Sequence, residues 1–247
     1  MYEGMLYLFD SYLKSFDATV TVIDSGVSGD IKVIMDRTAF YPTGGGQPCD
    51  TGVIVMPNGK SIRVLRVEKA DDVIFHYIEN PAGLASGDVI RGEIDWKRRY
   101  AHMKLHTTVH LIDAIVKRKH NGAFLTGGQI YDNRARFDVD WPELGRDMLP
   151  ELEAETNQEA LMGHAILVKF VKREEAKKIE GLARTKPGEE LLNRLEVVRI
   201  VEIEGLDQQM DGGTHLNNTK EMGEVKFINY ESKGKHNKRI EFTLASI

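Results

Sequence analysis

Between residues 5 and 93, apolar and polar positions change over in short runs separated by glycine-bearing turns. ATVTVIDSG and DIKVIMDRT are rich in β-branched residues, and DVIFHYIE and DVIRGEID have the same character. TGVIVMPNGKSIRVLRVEKA reads as a hairpin turning at Asn58-Gly59. Short strands of this kind, closely spaced, predict a small antiparallel barrel or sandwich.

The pattern changes at Trp96. WKRRYAHMKLHTTVHLIDAIVKRKH continues for about 25 residues without Gly or Pro and meets a stop signal at Asn121-Gly122. Tyr100, Met103, Thr107, Leu111 and Ala114 fall at helical spacing and predict a buried stripe. Beyond this helix come a strand-like GGQIYDNRARFDVDW, a helix from about Arg146 to Met162 and the strand AILVKFV. A short helix in REEAKKIE, a strand in LEVVRIVEI and a closing hairpin in GEVKFINYESKGKHNKRIEFTLA complete the chain. The predicted class is α+β: an N-terminal small antiparallel β-barrel-like domain over residues 1–93, then, over 94–247, an α+β domain with helices on an antiparallel sheet.

Composition narrows the class. No apolar run approaches the ~18–20 residues needed to cross a bilayer, and the N-terminus lacks the basic start and unbroken apolar core of a signal peptide. The single cysteine, Cys49, rules out an intrachain disulfide, which fits a reducing compartment and a cytoplasmic location. A net charge of −5 argues against a protein that coats nucleic acid through a broad basic surface. It leaves room for local basic runs: Lys97-Arg98-Arg99, and Lys233, Lys235, His236, Lys238 and Arg239. Such runs are more often solvated faces than binding sites.

Three segments carry candidate chemistry. The first is FYPTGGGQPCDTG, residues 40–52, where three glycines precede Gln47. It lacks the GxxxxGK[ST] pattern and no helix follows it, so a phosphate loop is disfavoured against a glycine turn. The second is the long helix, in which His102, His106 and His110 stand four apart. Residues at i and i+4 share a helical face with β-carbons ~5–6 Å apart, close enough for two imidazoles to grip one metal ion. A zincin would need a glutamate just after the first histidine, where Thr107 or Met103 stands, so that peptidase class is disfavoured. The third is DGGTHLNNTKEMG, residues 211–223, where Gly212 and Gly213 favour a loop carrying Asp211 and His215. Taken alone DGGTH is more often a turn, but these two with the helix pair would supply acceptable zinc ligands.

HTTVH followed by DGGTHLNNTKEMG and then KHNKRIEF resembles the editing domain of alanyl-tRNA synthetases and, more closely, the free-standing alanyl-tRNA editing proteins of the AlaX family. LYLFDSYLKSFDATV with DRTAFYPTGGGQPCDTG resembles the N-terminal part of the family's longer form, so the likeness runs over essentially the whole chain. The resemblance implies a Zn2+ site at His106, His110, Asp211 and His215, with one departure: aspartate replaces the usual cysteine of CGGTH. A carboxylate ligates zinc, but it is harder and shorter in reach than a thiolate.

The resemblance also implies the activity and the partner: hydrolysis, in trans, of the ester of tRNA(Ala) mischarged with serine or glycine. No activation core is legible, so editing without charging is expected. Thr126 and Gln47 are implied at the reaction centre, Thr126 facing the substrate side chain. Gly44, Gly45, Gly46, Thr107, Thr214 and Arg239 are implied in substrate or tRNA binding. Two rivals stand beside it, a non-catalytic tRNA-binding module with a degenerate metal site and a hydrolase of small amino-acid esters. Both a monomer and a dimer fit the sequence.

Overall fold

The computed structural model describes residues 4–26, 29–120, 123–183 and 186–245. They divide into two compact units, Met1–Tyr100 and Ala101–Ile247.

The first unit is a closed antiparallel barrel. Its strands are β1 (Ser15–Ser25), β2 (Ile31–Met35), β3 (Gly52–Val55), β4 (Ser61–Ala70), β5 (Val73–Ile78) and β6 (Val89–Ile94), in the order β1-β2-β5-β4-β3-β6 with β6 returning to β1. Alternation puts Val20, Val33, Ile54 and Val67 inside, each fully buried. Phe16 pairs across the seam with Gly92, where an added Cβ would lie 2.4 Å from the Phe16 ring. The glycine thus leaves room for the aromatic side chain. Asn58-Gly59 does turn β3 into β4, but within the loop 56–60 rather than as a two-residue hairpin. Asn58 Oδ1 accepts the Lys60 N–H at 2.9 Å, and Gly59 alone of the two takes a positive φ, +81°.

The GGGQ segment is a tight turn. Gly44 and Gln47 exchange both backbone bonds, at 3.1 and 2.8 Å, and the central Gly45 and Gly46 have φ of +55° and +81°. Two positive φ values in succession make a type I′ turn, which L side chains resist. Gln47 itself is buried. The turn is tied down by Asp50, which accepts the Tyr41 N–H at 2.6 Å and forms an ion pair with Arg99; both charged side chains are almost fully buried. Arg99 further donates to the carbonyls of Ser11 (2.9 Å) and Ala39 (2.6 Å). Arg99 is thus no part of a solvated basic face: its charge is spent inside the first unit.

Helix α1 (Trp96–Lys119) starts in the first unit and continues into the second. Its predicted stop, Asn121-Gly122, lies outside the described residues. The second unit adds β7 (Phe124–Ile130), β8 (Ala135–Asp140), α2 (Leu149–Met162), β9 (Ile166–Lys172), α3 (Arg173–Ala176), α4 (Lys186–Arg194), β10 (Val197–Ile203), β11 (Asp207–Met210), β12 (Val225–Gly234) and β13 (Asn237–Leu244). The strands form two antiparallel sheets, β12-β13-β8-β7 and β11-β10-β9. The fold class is the α+β expected, with an antiparallel barrel before it.

Three details differ from the pattern. GGQIYDNRARFDVDW is not one strand but the hairpin β7–β8, closed by Tyr131 N–H to the Arg134 carbonyl at 2.8 Å. Helix α4 and strand β11 have too few apolar positions to stand out by periodicity. Helix α1 is buried around most of its circumference from His102 to Val116, not along one stripe. A helix covered on all sides must match each of its polar side chains with a partner, and those partners make the candidate site.

His76 offers a pH test of the barrel. It is fully buried, with Nδ1 3.0 Å from the Val33 carbonyl and Nε2 2.9 Å from Thr38 Oγ1, which in turn accepts the Phe40 N–H. Burial pushes its pKa from 6.5 down to about 4. The folded barrel therefore binds fewer protons than the unfolded chain between these values. The stabilisation is complete above 6.5 and should be lost as pH falls towards 4, by up to about 3 kcal/mol. Denaturant titrations across that range should show a steeper loss in the wild type than in His76→Gln; identical slopes would contradict the assignment.

Candidate metal centre and adjoining cleft

Helical spacing sets the first half of the centre. His106 and His110, one turn apart on α1, are both buried and their ring centroids lie 4.9 Å apart. The other half comes from the loop after β11. Gly212 and Gly213 let the Asp211 carboxylate fold back on its own backbone, where Oδ2 accepts the Gly213 N–H at 2.6 Å. His215 then enters from the far end of the loop, with its ring 4.4 Å from that of His106 and 4.6 Å from that of His110.

The ligand atoms converge. Asp211 Oδ1 is 3.6 Å from His106 Nε2 and 3.9 Å from His110 Nε2, and Asp211 Oδ2 is 3.0 Å from His215 Nε2. One nitrogen or oxygen from each of the four residues lies within 4.8 Å of all the others. Tetrahedral zinc with bonds of ~2.0–2.1 Å holds its ligand atoms about 3.3 Å apart, so a small contraction would enclose an ion. The four residues could hold a metal ion.

Protonation fits as well. Burial pushes His106 down to about 3, an effect that Asp211 opposes and the neighbouring His215 and Arg199 reinforce. Burial would raise Asp211, but His106, the His215 hydrogen bond and His110 hold it well below the usual carboxylate range. A neutral imidazole and an ionised carboxylate are the forms that offer electron pairs to a cation.

The surrounding groups orient these ligands. Thr107 Oγ1 accepts the Leu216 N–H at 3.1 Å and lies 3.2 Å from His215 Nδ1, which directs the opposite ring nitrogen at Asp211. Thr107 is fully buried, so its hydroxyl is engaged by the protein rather than presented to a cleft. Arg199, from the middle of β10, donates to the Asp211 carbonyl at 2.7 Å and stands 3.7 Å from its carboxylate.

A cleft of about 250 Å³ opens beside His110. Thr126 of β7 borders it with an exposed side chain, together with Asp113, Leu125, Gln209 and Met210. Asp113 stands three residues after His110 on α1; its Oδ1 accepts the Leu125 N–H at 3.0 Å and its Oδ2 the Gln209 Nε2–H at 2.9 Å.

The other sequence candidates are placed differently. Thr214 is fully buried beside His215. His102 bonds Asp132 at 3.1 Å and is not among the four converging residues. Thr108 returns its hydroxyl to the Lys104 carbonyl at 2.8 Å, as a helix-packing residue does. Arg239 is gripped by both oxygens of Asp138, at 2.6 and 2.7 Å. Gln47 and Gly44–Gly46 form the barrel turn described above.

Arg199, Asp113 and Gln209 were not anticipated from sequence. A lone arginine inside VVRIVEI and an aspartate inside HLIDAIV were the available signals, since a charge in an apolar run demands a partner. Nothing local in DQQM marks Gln209.

Comparison with known proteins bears on this arrangement. A family model for the threonyl and alanyl tRNA synthetase second additional domain matches residues 198–241, which include the Asp211–His215 loop, and one for tRNA synthetases class II (A) matches residues 11–98. The alanyl-tRNA editing protein AlaX-M of Methanosarcina barkeri is 41% identical over 97% of this chain and 98% of its own length. That of Saccharolobus solfataricus is 39% identical with the same coverage. The chain belongs to the AlaX-M family of alanyl-tRNA editing proteins. The alanine–tRNA ligase of Pyrococcus abyssi is 37% identical over 92% of this chain but only 24% of the ligase, so this chain corresponds to about a quarter of that enzyme. The resemblance drawn from HTTVH, DGGTH and GGGQ thus holds at the level of the family.

Metal titration of the purified protein, by competition with a chromophoric chelator, should show one divalent site. Thr107→Val should weaken it about 10- to 100-fold through loss of ring orientation, with Thr107→Ser largely restoring it. Asp211→Asn should weaken it further. Unchanged affinity in Asp211→Asn would remove this residue from the ligand set.

Proposed function

We propose that this protein hydrolyses, in trans, the ester of tRNA(Ala) mischarged with serine, with glycine as the second candidate amino acid, in the cytoplasm. In this assignment residues 94–247 are the editing domain, and His106, His110, Asp211 and His215 hold zinc. The observation that carries it is the convergence of four metal-ligating side chains beside a cleft that His110 shares with Thr126. Alanyl-tRNA editing is the activity for which the relatives are named, and it points to the same substrate class.

Held by His106, His110, Asp211 and His215, zinc would supply Lewis acidity towards an ester carbonyl and would ease proton loss from water. The rest is the work of the chain. Buried Arg199 and the Gly213 N–H stabilise Asp211 as a carboxylate, and Thr107 holds His215 in register. The apolar cleft wall of Val109, Leu125 and Met210 shields the ester from bulk water.

Selectivity follows from pairing. A synthetic site sized for alanine rejects serine only modestly, because an added hydroxyl is a small steric change. The editing cleft takes the opposite approach. The Thr126 hydroxyl bonds the serine hydroxyl, a bond that alanine cannot make and that favours serine by a factor on the order of 10. A non-catalytic tRNA-binding role would require a disabled centre, and the proximity of the Asp211 carboxylate to all three imidazoles argues for an intact one.

Replacing His106 and His110 together by alanine should reduce serine release from Ser-tRNA(Ala) to the uncatalysed rate in a deacylation assay. Wild-type activity in that double variant would refute the metal-centred reaction. Thr126→Val should lower kcat/KM for Ser-tRNA(Ala) by roughly tenfold while sparing that for Gly-tRNA(Ala). Equal losses on both substrates would reassign Thr126 to general packing.

A further inference from the structure

An aminoacyl ester carries a donor group besides its side chain: the α-ammonium, which has N–H bonds only and must be met by acceptors once it leaves water. The cleft beside His110 has one wall that supplies an acceptor. Gln209 Nε2 donates to Asp113 Oδ2 and to Asp207 Oδ2, each at 2.9 Å. Carboxylates accept hydrogen bonds and do not donate them, so only the –NH2 end of the amide can face this pair. The orientation of Gln209 is thereby forced, and the polar atom it has left to offer is its carbonyl oxygen, Oε1.

Two features make that oxygen a strong acceptor at a fixed position. Donation of both amide hydrogens to carboxylates polarises the amide towards its oxygen. The two carboxylates are themselves anchored, Asp113 by the Leu125 N–H at 3.0 Å and Asp207 by Lys117 Nζ at 2.9 Å. Gln209 is thus braced by α1, β7 and its own strand β11, on the cleft that also holds Thr126.

We propose that Gln209 is a specificity-determining residue that accepts a hydrogen bond from the substrate α-ammonium, and that Asp113 is the positioning residue that fixes its orientation. This rests on the editing assignment above. The consequence is an enzyme that distinguishes aminoacyl esters with a free amine from N-blocked ones. Thr126, on the same cleft, is left to read the side chain.

The test compares kcat/KM for Ser-tRNA(Ala) and N-acetyl-Ser-tRNA(Ala). Wild-type protein should prefer the free amine by about ten- to a hundredfold, the range of a hydrogen bond to a charged group. In Gln209→Met, which keeps the bulk of the side chain but removes the amide, the ratio should fall towards one. Asp113→Asn should give an intermediate ratio, with KM for Ser-tRNA(Ala) rising more than kcat falls. If wild-type protein cleaves both substrates equally, the proposal fails, and that result needs no variant to fold. A Gln209→Met protein that keeps the full ratio also overturns it, because the preference then comes from the bulk of the acetyl group. So does one that alters only the preference for serine over alanine, because Gln209 would then read the hydroxyl. Wild-type protein inactive on Ser-tRNA(Ala) would overturn the editing assignment and this proposal with it, whereas an active enzyme without amine preference overturns this proposal alone.

Discussion

Asp211 is a half-buried carboxylate set among three imidazoles, and the elements around it are arranged to compensate its charge. Desolvating an ion is expensive, and the expense is met only by close partners of good geometry. Here they come from three places in the chain: His106 and His110 on α1, Arg199 on β10, and Gly213 and His215 in Asp211's own loop. The ionic group that makes a cation welcome is therefore also one that links a helix, a strand and a loop in the second unit. Aspartate at this position, where the family pattern given above has cysteine, would offer a cation a harder ligand and also brings a second oxygen. Oδ1 faces the helix pair and Oδ2 faces His215 and Gly213, a division a single sulfur would not provide.

The covering of helix α1 gives the site its character. An amphipathic helix would leave its polar residues in water. From His102 to Val116 this one is buried almost throughout, so each polar side chain is matched by a specific group. Thr107 is matched by His215 and Leu216, Asp113 by Leu125 and Gln209, and Thr108 by the helix's own backbone. The 3.6-residue repeat sorts them. His106, His110 and Asp113 follow one another along one side, so the four converging side chains lead directly into the cleft, while Thr107 lies a step around the helix and acts on the centre from behind His215.

Two arginines from the basic runs show the same rule in reverse. Arg99 and Arg239 both lie in basic runs, yet each guanidinium meets a carboxylate, Asp50 or Asp138. A basic run in a sequence is a statement about neighbours along the chain, whereas availability to RNA depends on neighbours in space. Exposed Lys97 and Lys235 keep their charges towards solvent.

Local sequence determined the element types where period and punctuation were strong: the barrel strands between glycine turns, the long helix, and the closing hairpin. Spacing offered His102, His106 and His110 on the helix and Asp211 and His215 in a Gly-Gly loop as candidates, while the choice of His106 and His110 over His102 came from the resemblance to the family rather than from local sequence. The GGGQ segment resolved into a type I′ turn, since two successive positive φ angles demand glycine whatever else the segment does. What only the tertiary structure decided is which distant groups meet. That Asp211 reaches all three imidazoles, that Arg199 and Thr107 support it, that Gln209 is turned by Asp113 and Asp207, and that Arg99 and Arg239 are internally paired all depend on contacts between residues far apart in sequence. Hydrophobic periodicity records which side of an element is covered, but it carries no information about which buried polar group answers which.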